Sequence, residues 1–404
     1  MAAQAQADLA GQFARIDAVA EENTRKVLSA FQKHRVAEAH FAGTTGYGYD
    51  DLGRDTLDQI YADIFGTEDA LVRVQFVNGT HAISCALFGA LRPGDVLVSA
   101  VGAPYDTMLG VIGVVDKGPG SLKSYGVEYR QVELRDNAPD PAALAEAVRD
   151  PRVKAVLIQR SRGYSTRNSL SVAEIGALAR VVKENNPAAA VLVDNCYGEF
   201  VETTEPTQAG ADLVVGSLIK NPGGGLAPTG GYIAGRRDLV EGAAMRLTTP
   251  GIGKECGSTF GANRSLYQGL FLAPHTTAQA VKTAVFAARM MELLGYRVDP
   301  PSGAVRRDII QMLHFSAPEP LKRFCRGIQF GAPVDSYVTP EPWDMPGYDC
   351  QVIMAAGAFI QGASIELSCD APMREPYTAY LQGGLTYESG KAGVMLAVEE
   401  LLRA

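Results

Sequence analysis

Short apolar runs alternate with amphipathic segments between residues 70 and 235. Each run has four residues, as expected for a strand buried on both faces, whereas the segments between the runs have the 3.6-residue period of helices. The runs are 96–99, 155–158, 191–194, 213–216 and 231–234, and the helical segments include 142–148 and 172–184. This alternation predicts a mostly parallel sheet with right-handed helical crossovers.

The two ends of the chain have different patterns. Residues 4–39 place apolar side chains at helical spacing among polar ones, which predicts one or two amphipathic helices before the main sheet. Further helices are expected at 56–65, ending at Gly66, and at 276–294. In the last hundred residues, a closing helix at 390–402 follows strand-like segments at 327–330, 348–354 and 364–369.

These patterns predict an α/β protein in three parts. Residues 1–55 form an N-terminal helical segment and arm, and residues 56–275 form a large α/β domain. Residues 276–404 form a smaller α+β domain, because strands and helices are no longer interleaved there.

Composition narrows the possible classes of function. The 37 basic and 45 acidic side chains give a formal net charge of −8, which argues against a nucleic-acid surface. The longest apolar run, 352–360, is too short to cross a membrane, and residues 1–17 lack the apolar stretch of a secretory signal. The six cysteines form no Cys-x-x-Cys pair, and the five histidines show no metal-ligand spacing. We therefore expect a cytoplasmic protein without a metal site.

Lys220 and Asp194 form the most informative pair in the sequence. Lys220 follows an apolar run and precedes Asn-Pro-Gly-Gly-Gly, so a buried strand would deliver its amine to a sheet edge, where desolvation could remove its proton. Asp194 lies 26 residues upstream at the end of another run, one strand–helix–strand step away. Pyridoxal-phosphate (PLP) enzymes use such a pair, with the Asp on the pyridinium nitrogen and the Lys on the aldehyde. Taken singly, they could be a solvated loop lysine and a helix cap or ion-pair partner.

A second group of residues suits a phosphate and an aromatic ring. The segment Asn78-Gly-Thr-His-Ala82 reads as a glycine turn opening a helix, where free N–H groups, the close approach allowed by Gly79 and the Thr80 hydroxyl would bind phosphate. Ser217 adds a hydroxyl near Lys220, and Tyr105 follows the run at 96–99 on a turn. An ordinary helix cap and a turn tyrosine explain Thr80 and Tyr105 equally well when each is considered alone.

The order of these features resembles fold type I PLP enzymes of the cysteine and methionine metabolism group. Longer strings resemble, over nearly the whole chain, a branch known as methionine γ-lyases or aluminium-resistance proteins. These strings are Gly46-Tyr-Gly-Tyr-Asp-Asp-Leu-Gly-Arg54, Gln159-Arg-Ser-Arg-Gly-Tyr164, Ser217-Leu-Ile-Lys-Asn-Pro-Gly-Gly-Gly225, Met345-Pro-Gly-Tyr348 and Leu381-Gln-Gly-Gly-Leu385. The resemblance implies a PLP-dependent transferase-like α/β fold with a mostly parallel central sheet, an N-terminal helical arm and a smaller α+β C-terminal domain.

The resemblance also implies roles for single residues around the cofactor, pyridoxal 5′-phosphate. Lys220 corresponds to the Schiff-base lysine and Asp194 to the partner of the pyridinium nitrogen. The implied phosphate contacts are Gly79, Thr80 and Ser217. Tyr105 corresponds to the aromatic residue that stacks on the ring, and it is also a candidate acid for the leaving sulfur.

Two further sets of residues concern the subunit interface and the substrate. Tyr49 matches an arm tyrosine that contacts the phosphate or substrate of a neighbouring subunit, which implies a homo-oligomer, either a dimer or a dimer of dimers. The arm arginine of the group would fall at Asp51, and Arg54 is its possible substitute. The candidate for the substrate α-carboxylate is Arg374, because a guanidinium binds carboxylates with two parallel hydrogen bonds. The alternative candidates, either for the substrate α-carboxylate or for the cofactor phosphate, are Arg160 and Arg162.

The implied activity is that of a carbon–sulfur lyase. It would catalyse β- or γ-elimination on a small sulfur amino acid such as cystathionine, cysteine or methionine, with the Lys220 amine taking the α-proton. An aminotransferase, an aldolase and a non-catalytic PLP-fold binding protein would need the same residues and stay open as alternatives. A dehydrogenase is disfavoured, because Gly251-Ile-Gly253 has no third glycine at the required spacing and no preceding strand.

Overall fold

The computed structural model describes residues 1–345 and 350–403, which contain eleven α-helices and twelve β-strands. The strands form two separate sheets, one of seven strands and one of five. Among the described residues, none of the helices combines the length and apolar character needed to cross a membrane.

The large domain is built on the seven-stranded sheet. Its strands are β1 (Asp69–Arg73), β2 (Val96–Ser99), β3 (Glu128–Gln131), β4 (Val153–Gln159), β5 (Ala190–Asp194), β6 (Leu213–Ser217) and β7 (Gly231–Gly235). Their order across the sheet is β1-β7-β6-β5-β4-β2-β3, with only β7 antiparallel to its neighbours. All five predicted runs lie in strands, so the prediction of a mostly parallel sheet is confirmed.

Helices cover both faces of this sheet. The first eight are α1 (Ala2–Asp8), α2 (Ala10–Lys33), α3 (Leu52–Phe65), α4 (Gly79–Ala90), α5 (Asp106–Ile112), α6 (Pro141–Val148), α7 (Val172–Asn185) and α8 (Arg237–Leu247). Alternate residues of each strand face opposite layers, so Val191 and Val193 of β5 pack with α3, α6 and α7, whereas Leu192 packs with α4, α5 and α8. The large domain is thus a three-layer α/β/α sandwich.

Side-chain caps determine where several of these helices begin. Asp140 accepts hydrogen bonds from the N–H groups of Ala142 and Ala143 at the start of α6, and Ser171 with Glu174 forms a capping box on α7. Helix α3 begins four residues before its predicted start, because the Asp51 side chain accepts from the Arg54 N–H and caps it. It ends, as predicted, at Gly66.

The longest helix, α9 (Asn263–Leu293), begins 13 residues before the helix predicted at 276–294. The predicted domain boundary at 275–276 therefore lies inside α9. Near its N-terminal half, α9 packs directly on the turn that follows Lys220: a Cβ atom at Gly224 would lie 2.2 Å from the Gly269 carbonyl oxygen. Further along, the same helix contacts strands of the small domain.

The small domain contains the second sheet and two helices. Its strands are β8 (Arg297–Asp299), β9 (Gln311–His314), β10 (Val352–Ala356), β11 (Ser368–Pro372) and β12 (Thr378–Gln382), antiparallel throughout in the order β10-β11-β12-β9-β8. Its helices are α10 (Pro318–Phe330) and α11 (Tyr387–Leu402), which pack on each other. The prediction of a smaller α+β region is confirmed.

Three predicted details of this domain need correction. The strand predicted at 327–330 is wrong, because these residues are the last turn of α10, whose apolar residues Leu321, Phe324 and Ile328 follow a helical period. The strand predicted at 348–354 begins at Val352 in the structure, and Tyr348 lies outside the described residues. The strand predicted at 364–369 begins four residues later, at Ser368.

Candidate active site

The first turn of α4 lies against the carboxyl ends of β5 and β6. A Cβ atom at Gly79 would lie 3.4 Å from Cys196 Sγ and 3.4 Å from Ser217 Cβ, at van der Waals contact, so this turn packs closely on the strand ends. Asn78 caps the helix by accepting a hydrogen bond of 2.8 Å from the His81 N–H. The turn therefore directs the N-terminal N–H groups of α4 towards the strand ends, which is where open α/β sheets bind ligands.

The Ser217 hydroxyl at the end of β6 is a buried polar group without a partner. The residue is 1 % exposed, and its Oγ has no hydrogen-bond partner among the described residues. Such a group costs free energy unless a ligand or water satisfies it. Its position beside Gly79 is suited to a phosphate oxygen.

Thr80 and Tyr105 meet above this turn. Thr80 Oγ1 lies 3.0 Å from the Tyr105 hydroxyl, and the Tyr105 backbone N–H donates to Gln159 Oε1 at 2.9 Å, which fixes the tyrosine to the end of β4. Burial, reinforced by the charge of Asp194, raises the pKa of Tyr105. The hydroxyl therefore keeps its proton at neutral pH.

Lys220 lies just beyond β6 and is half-buried. Its Nζ atom is 3.9 Å from the centroid of the Tyr197 ring. Burial by itself lowers the pKa of Lys220, but the acidic groups of Cys196, Tyr197, Asp194 and Tyr105 outweigh burial and raise the pKa well above its ordinary value. Burial therefore acts on this amine as expected, by favouring its neutral form, and the neighbouring Asp194 acts in the opposite direction.

Asp194 ends β5 and is 7 % exposed. Its Oδ1 atom accepts a hydrogen bond of 3.1 Å from the Cys196 N–H. Burial raises the pKa of Asp194, and the positive charge of Lys220 acts in the opposite direction. Since Lys220 and Asp194 each change the other's pKa, the structure brings the two predicted residues together at one sheet edge.

Arg160 is part of the support beneath the site. It is fully buried, with Nη1 2.8 Å from Asn195 Oδ1, Nη2 2.7 Å from Glu202 Oε1 and Nη1 3.6 Å from Glu205 Oε2. Its backbone N–H donates to the Asp194 carbonyl oxygen at 3.0 Å. The structure therefore contradicts Arg160 as a substrate-binding residue, because its guanidinium is already bound to carboxylates and is inaccessible.

Arg162, the other rival, is also engaged inside the protein. It is 4 % exposed, and its Nη1 atom lies 3.0 Å from Asp299 Oδ2 and contacts Met312 Sδ. These contacts join the segment after β4 to strands β8 and β9 of the small domain. A role in linking the two domains is enough to explain why Arg162 is held in this place, without a contact to the substrate.

Arg374, in contrast, is exposed and lines a cavity of about 220 Å³ between the two domains. Tyr164 of the large domain and Tyr380 of the small domain form another wall of this cavity. Their rings are 4.9 Å apart, and the Tyr380 hydroxyl donates to the Tyr164 carbonyl oxygen at 3.0 Å. Of the three candidate arginines, Arg374 is the one whose place is compatible with binding a carboxylate from solution.

A half-buried aspartate connects this cavity to Lys220. Asp370 of β11 lies opposite Tyr380 in the sheet register and receives a hydrogen bond from the Tyr164 side chain. Burial raises the pKa of Asp370 to about 6, while Tyr164 and the charge of Lys220 oppose this rise. The ring of Tyr197, which covers the Lys220 amine, packs against the cluster of Ile310, Met312 and Tyr380. The candidate site thus extends from the sheet edge to the small domain.

Sequence reasoning missed Tyr164, Tyr197, Asp370 and Tyr380 as site residues. Two of them had a signal, because Tyr164 closes one of the strings that carry the family resemblance and Tyr197 lies three residues after Asp194. Asp370 and Tyr380 had none, since only the pairing of β11 with β12 brings them together.

The arm residues lie apart from these groups within one chain. Tyr49 is 58 % exposed, and its ring stacks on Tyr47 at 5.6 Å. No contact between described residues joins Tyr49 to Lys220 or Asp194, so its role at a neighbouring subunit stays a prediction. Arg54 does not replace the missing arm arginine, because it is 2 % exposed and donates to the carbonyl oxygens of Gly48 and Gly257.

The sequence model of a family described as methionine gamma-lyase matches residues 1–402. This chain belongs to the methionine gamma-lyase family. The family resemblance found in the motifs is thereby confirmed, together with a carbon–sulfur lyase as the class of enzyme. The match also covers the small domain, so the family assignment extends beyond the sheet edge that carries Lys220.

Individual family relatives cover the chain almost completely. The Bacillus subtilis protein described as "Uncharacterized protein YnbB" is 51% identical over 404 residues, which is 100% of this chain and 96% of the relative. A crystal structure of a carbon-sulfur lyase involved in aluminum resistance from Clostridium novyi NT is 51% identical, with a TM-score of 0.96 over 99% of this chain and 95% of that chain.

A more distant structure shows the same fold alone. The pyridoxal-5′-phosphate dependent protein YhfS from Escherichia coli is 17% identical, with a TM-score of 0.63 over 94% of this chain and 96% of that chain. The fold type I architecture expected from the resemblance is confirmed by these structures.

Proposed function

We propose that this protein is a PLP-dependent lyase that removes the sulfur group from the β- or γ-carbon of a sulfur amino acid. Cystathionine, cysteine and methionine are the candidate substrates. The observation that carries the proposal is the arrangement at the sheet edge, where half-buried Lys220 and buried Asp194 lie beside a glycine turn and the unpaired hydroxyl of Ser217. Membership of the methionine gamma-lyase family supports the same conclusion.

The residues present fit the cofactor. The N–H groups at the start of α4, with the hydroxyls of Thr80 and Ser217, would hold its phosphate, and Gly79 leaves space for the approach. Asp194 would hold the ring nitrogen, and the Lys220 amine would hold the aldehyde. When bound, PLP supplies an electron-accepting ring that stabilises negative charge at the substrate α-carbon.

The chain's own residues account for the proton movements of an elimination. Lys220 Nζ would take the substrate α-proton, for which it must be in the neutral form that burial favours. The Tyr105 hydroxyl keeps its proton at neutral pH and would donate it to the leaving sulfur. Thr80, at 3.0 Å, orients that hydroxyl.

Arg374 would bind the substrate carboxylate in the cavity beside Tyr164 and Tyr380. This placement would leave the rest of the substrate directed towards Tyr197, which covers Lys220. Arg374 would then lie on one side of the substrate, and Tyr197 and Lys220 on the other.

The purified protein tests the assignment of Lys220. We expect a near-visible absorption band, and borohydride reduction should attach the cofactor to the peptide that contains Lys220. The Lys220→Ala variant should lose both signals, whereas the matched control Lys254→Ala, at a partly buried lysine paired with Asp69, should keep them. An unchanged spectrum in Lys220→Ala would contradict the proposal.

Product analysis tests the reaction class. A lyase releases a thiol or sulfide together with ammonia and a 2-oxo acid from cystathionine, cysteine or methionine. An aminotransferase forms the 2-oxo acid without releasing sulfur and requires an amino acceptor. A 2-oxo acid produced without free thiol or sulfide would therefore reject the lyase.

A further inference from the structure

A second cavity of about 90 Å³ lies between α2 and α9, against residues 200–201 and 305–306. Its walls contain none of the residues assigned above to the cofactor or the substrate. Most of the lining is apolar, with Ile16 on α2, Val281 on α9 and Phe200 among its side chains. What distinguishes this cavity is the polar group at one wall.

That group is the guanidinium of Arg306, which is 5 % exposed. Its Nη1 atom donates to Gln311 Oε1 at 2.6 Å, whereas Nε and Nη2 have no hydrogen-bond partner among the described residues. A buried charged group with two unused N–H donors is costly in free energy. Nε and Nη2 also form the side of a guanidinium that binds both oxygens of one carboxylate.

The lining of the cavity itself carries only positive charge. Arg15 lines the same cavity, and none of the described lining residues is an Asp or a Glu. Three carboxylates act on Arg306 from outside the lining, and each is engaged elsewhere: Asp308 accepts from Ser169 and Ile310, Glu292 from Ser302, and Asp299 from Arg162. Burial lowers the pKa of Arg306 to about 10, so the guanidinium is still charged at neutral pH.

Thr277 of α9 provides a third unused donor. Its side chain is fully buried, lines the cavity, and its Oγ1 atom has no hydrogen-bond partner among the described residues. Arg306 and Thr277, which together have three unpaired donors, therefore both line the cavity, and apart from Gln12 and Arg15 the other lining residues are apolar.

We propose that this cavity binds a short-chain monocarboxylate. The carboxylate would accept from Arg306 Nε and Nη2 and from the Thr277 hydroxyl, and its hydrocarbon tail would pack on Ile16, Phe200 and Val281. A cavity of about 150 Å³ holds benzene, so the present volume suits a ligand of roughly two to four carbons. The site is independent of the proposed elimination and of any cofactor.

Calorimetric titration of the full chain with propionate, at constant ionic strength, tests this proposal. We expect one binding site per chain, with much weaker binding of sulfate and of the neutral isostere propionamide. Arg306→Met should weaken propionate binding about 10- to 100-fold, since it removes a charge-assisted hydrogen-bond pair. Thr277→Val, which preserves shape, should weaken it about threefold to tenfold.

Two arginine variants serve as controls. Arg307→Met changes the adjacent residue, which contacts Ser169 and Glu174 instead of lining this cavity, and should leave the affinity unchanged. Arg374→Ala should also keep the affinity, which separates this cavity from the proposed substrate site. Because Arg306 has unused buried donors, we expect Arg306→Met to fold. If it does not, Thr277→Val carries the test.

Three outcomes would overturn the proposal. They are no measurable heat of binding with propionate, equal binding of propionate and sulfate, and binding that survives in Thr277→Val and Arg306→Met but is lost in Arg374→Ala. None of these outcomes depends on PLP or on lyase activity, so a failure here leaves the proposed reaction intact.

Discussion

The two walls of the candidate active site are built in different ways. The wall on the large domain places buried Asp194 at the end of one parallel strand and half-buried Lys220 just beyond the next, and further charged groups support them from below. The wall on the small domain is half open to solvent, and its aromatic rings and Arg374 surround a cavity. The first is suited to holding a cofactor in one position, and the second to admitting and releasing a substrate.

Replacing the charge on the buried wall should have the largest effect. In Asp194→Ala the Lys220 ammonium loses its carboxylate neighbour, and the proposed ring nitrogen loses its partner. We expect kcat/KM for 2-oxo acid release to fall on the order of 10³-fold. Steady-state kinetics measure this, with Asp194→Glu as the control that keeps the charge. A fall of less than tenfold would place the cofactor elsewhere.

Arg160 tests whether the support beneath that wall is structural. Arg160→Met leaves the carboxylates of Glu202 and Glu205 without their guanidinium, and we expect a loss of about 3–5 kcal/mol in the free energy of unfolding. Urea denaturation of the variant and the wild type measures this loss. The KM of correctly folded variant should stay close to the wild-type value. A large rise in KM with normal stability would restore Arg160 as a substrate ligand.

Arg374 probes the open wall. Arg374→Ala should raise KM roughly 10- to 100-fold with a smaller change in kcat, because a charge-assisted hydrogen bond to the substrate is lost. Arg374→Lys should recover part of the affinity, since the charge returns without the planar fork. An unchanged KM in the alanine variant would assign the substrate carboxylate to another residue.

Replacing Asp370 should have the smallest effect, and this effect should depend on pH. Burial raises its pKa from 3.8 to about 6, so the folded protein binds this proton more tightly than the unfolded chain does. The resulting stabilisation is fully present below about pH 4 and disappears as the pH rises through 6. Relative to Asp370→Asn, the free energy of unfolding of the wild type should therefore fall by about 2 kcal/mol between pH 4 and pH 7. If urea denaturation gave the same difference in unfolding free energy at both pH values, the raised pKa of Asp370 would be contradicted.

The sequence predicted the buried wall better than the open one, for a physical reason. Asp194 ends an apolar strand and Lys220 closely follows another, so a local pattern together with one spacing was enough to place them at the same edge. Asp370 and Tyr380 meet only through the register of two antiparallel strands, and register leaves no mark in a single segment. The same limit applies to Arg160, whose partners Glu202 and Glu205 lie more than 40 residues away.

The errors in secondary structure also follow from reading short segments. Residues 327–330 resemble a strand when taken alone, and the helical period of α10 becomes visible only over Pro318–Phe330. The earlier start of α9 was missed because Asn263 follows a glycine-rich loop and Pro274 lies inside the helix. Packing on Gly223 and Gly224 fixes that part of the helix, and such contacts cannot be read from the segment itself.

Helix α9 sets the width of the cleft between the two walls. Its 31 residues form a rod about 45 Å long, seated backbone to backbone on the turn after Lys220 and in contact with β9 and β12 of the small domain. A single continuous rod therefore acts as a spacer between cofactor and substrate groups, and a one-residue insertion in its middle would rotate one end by about 100° relative to the other.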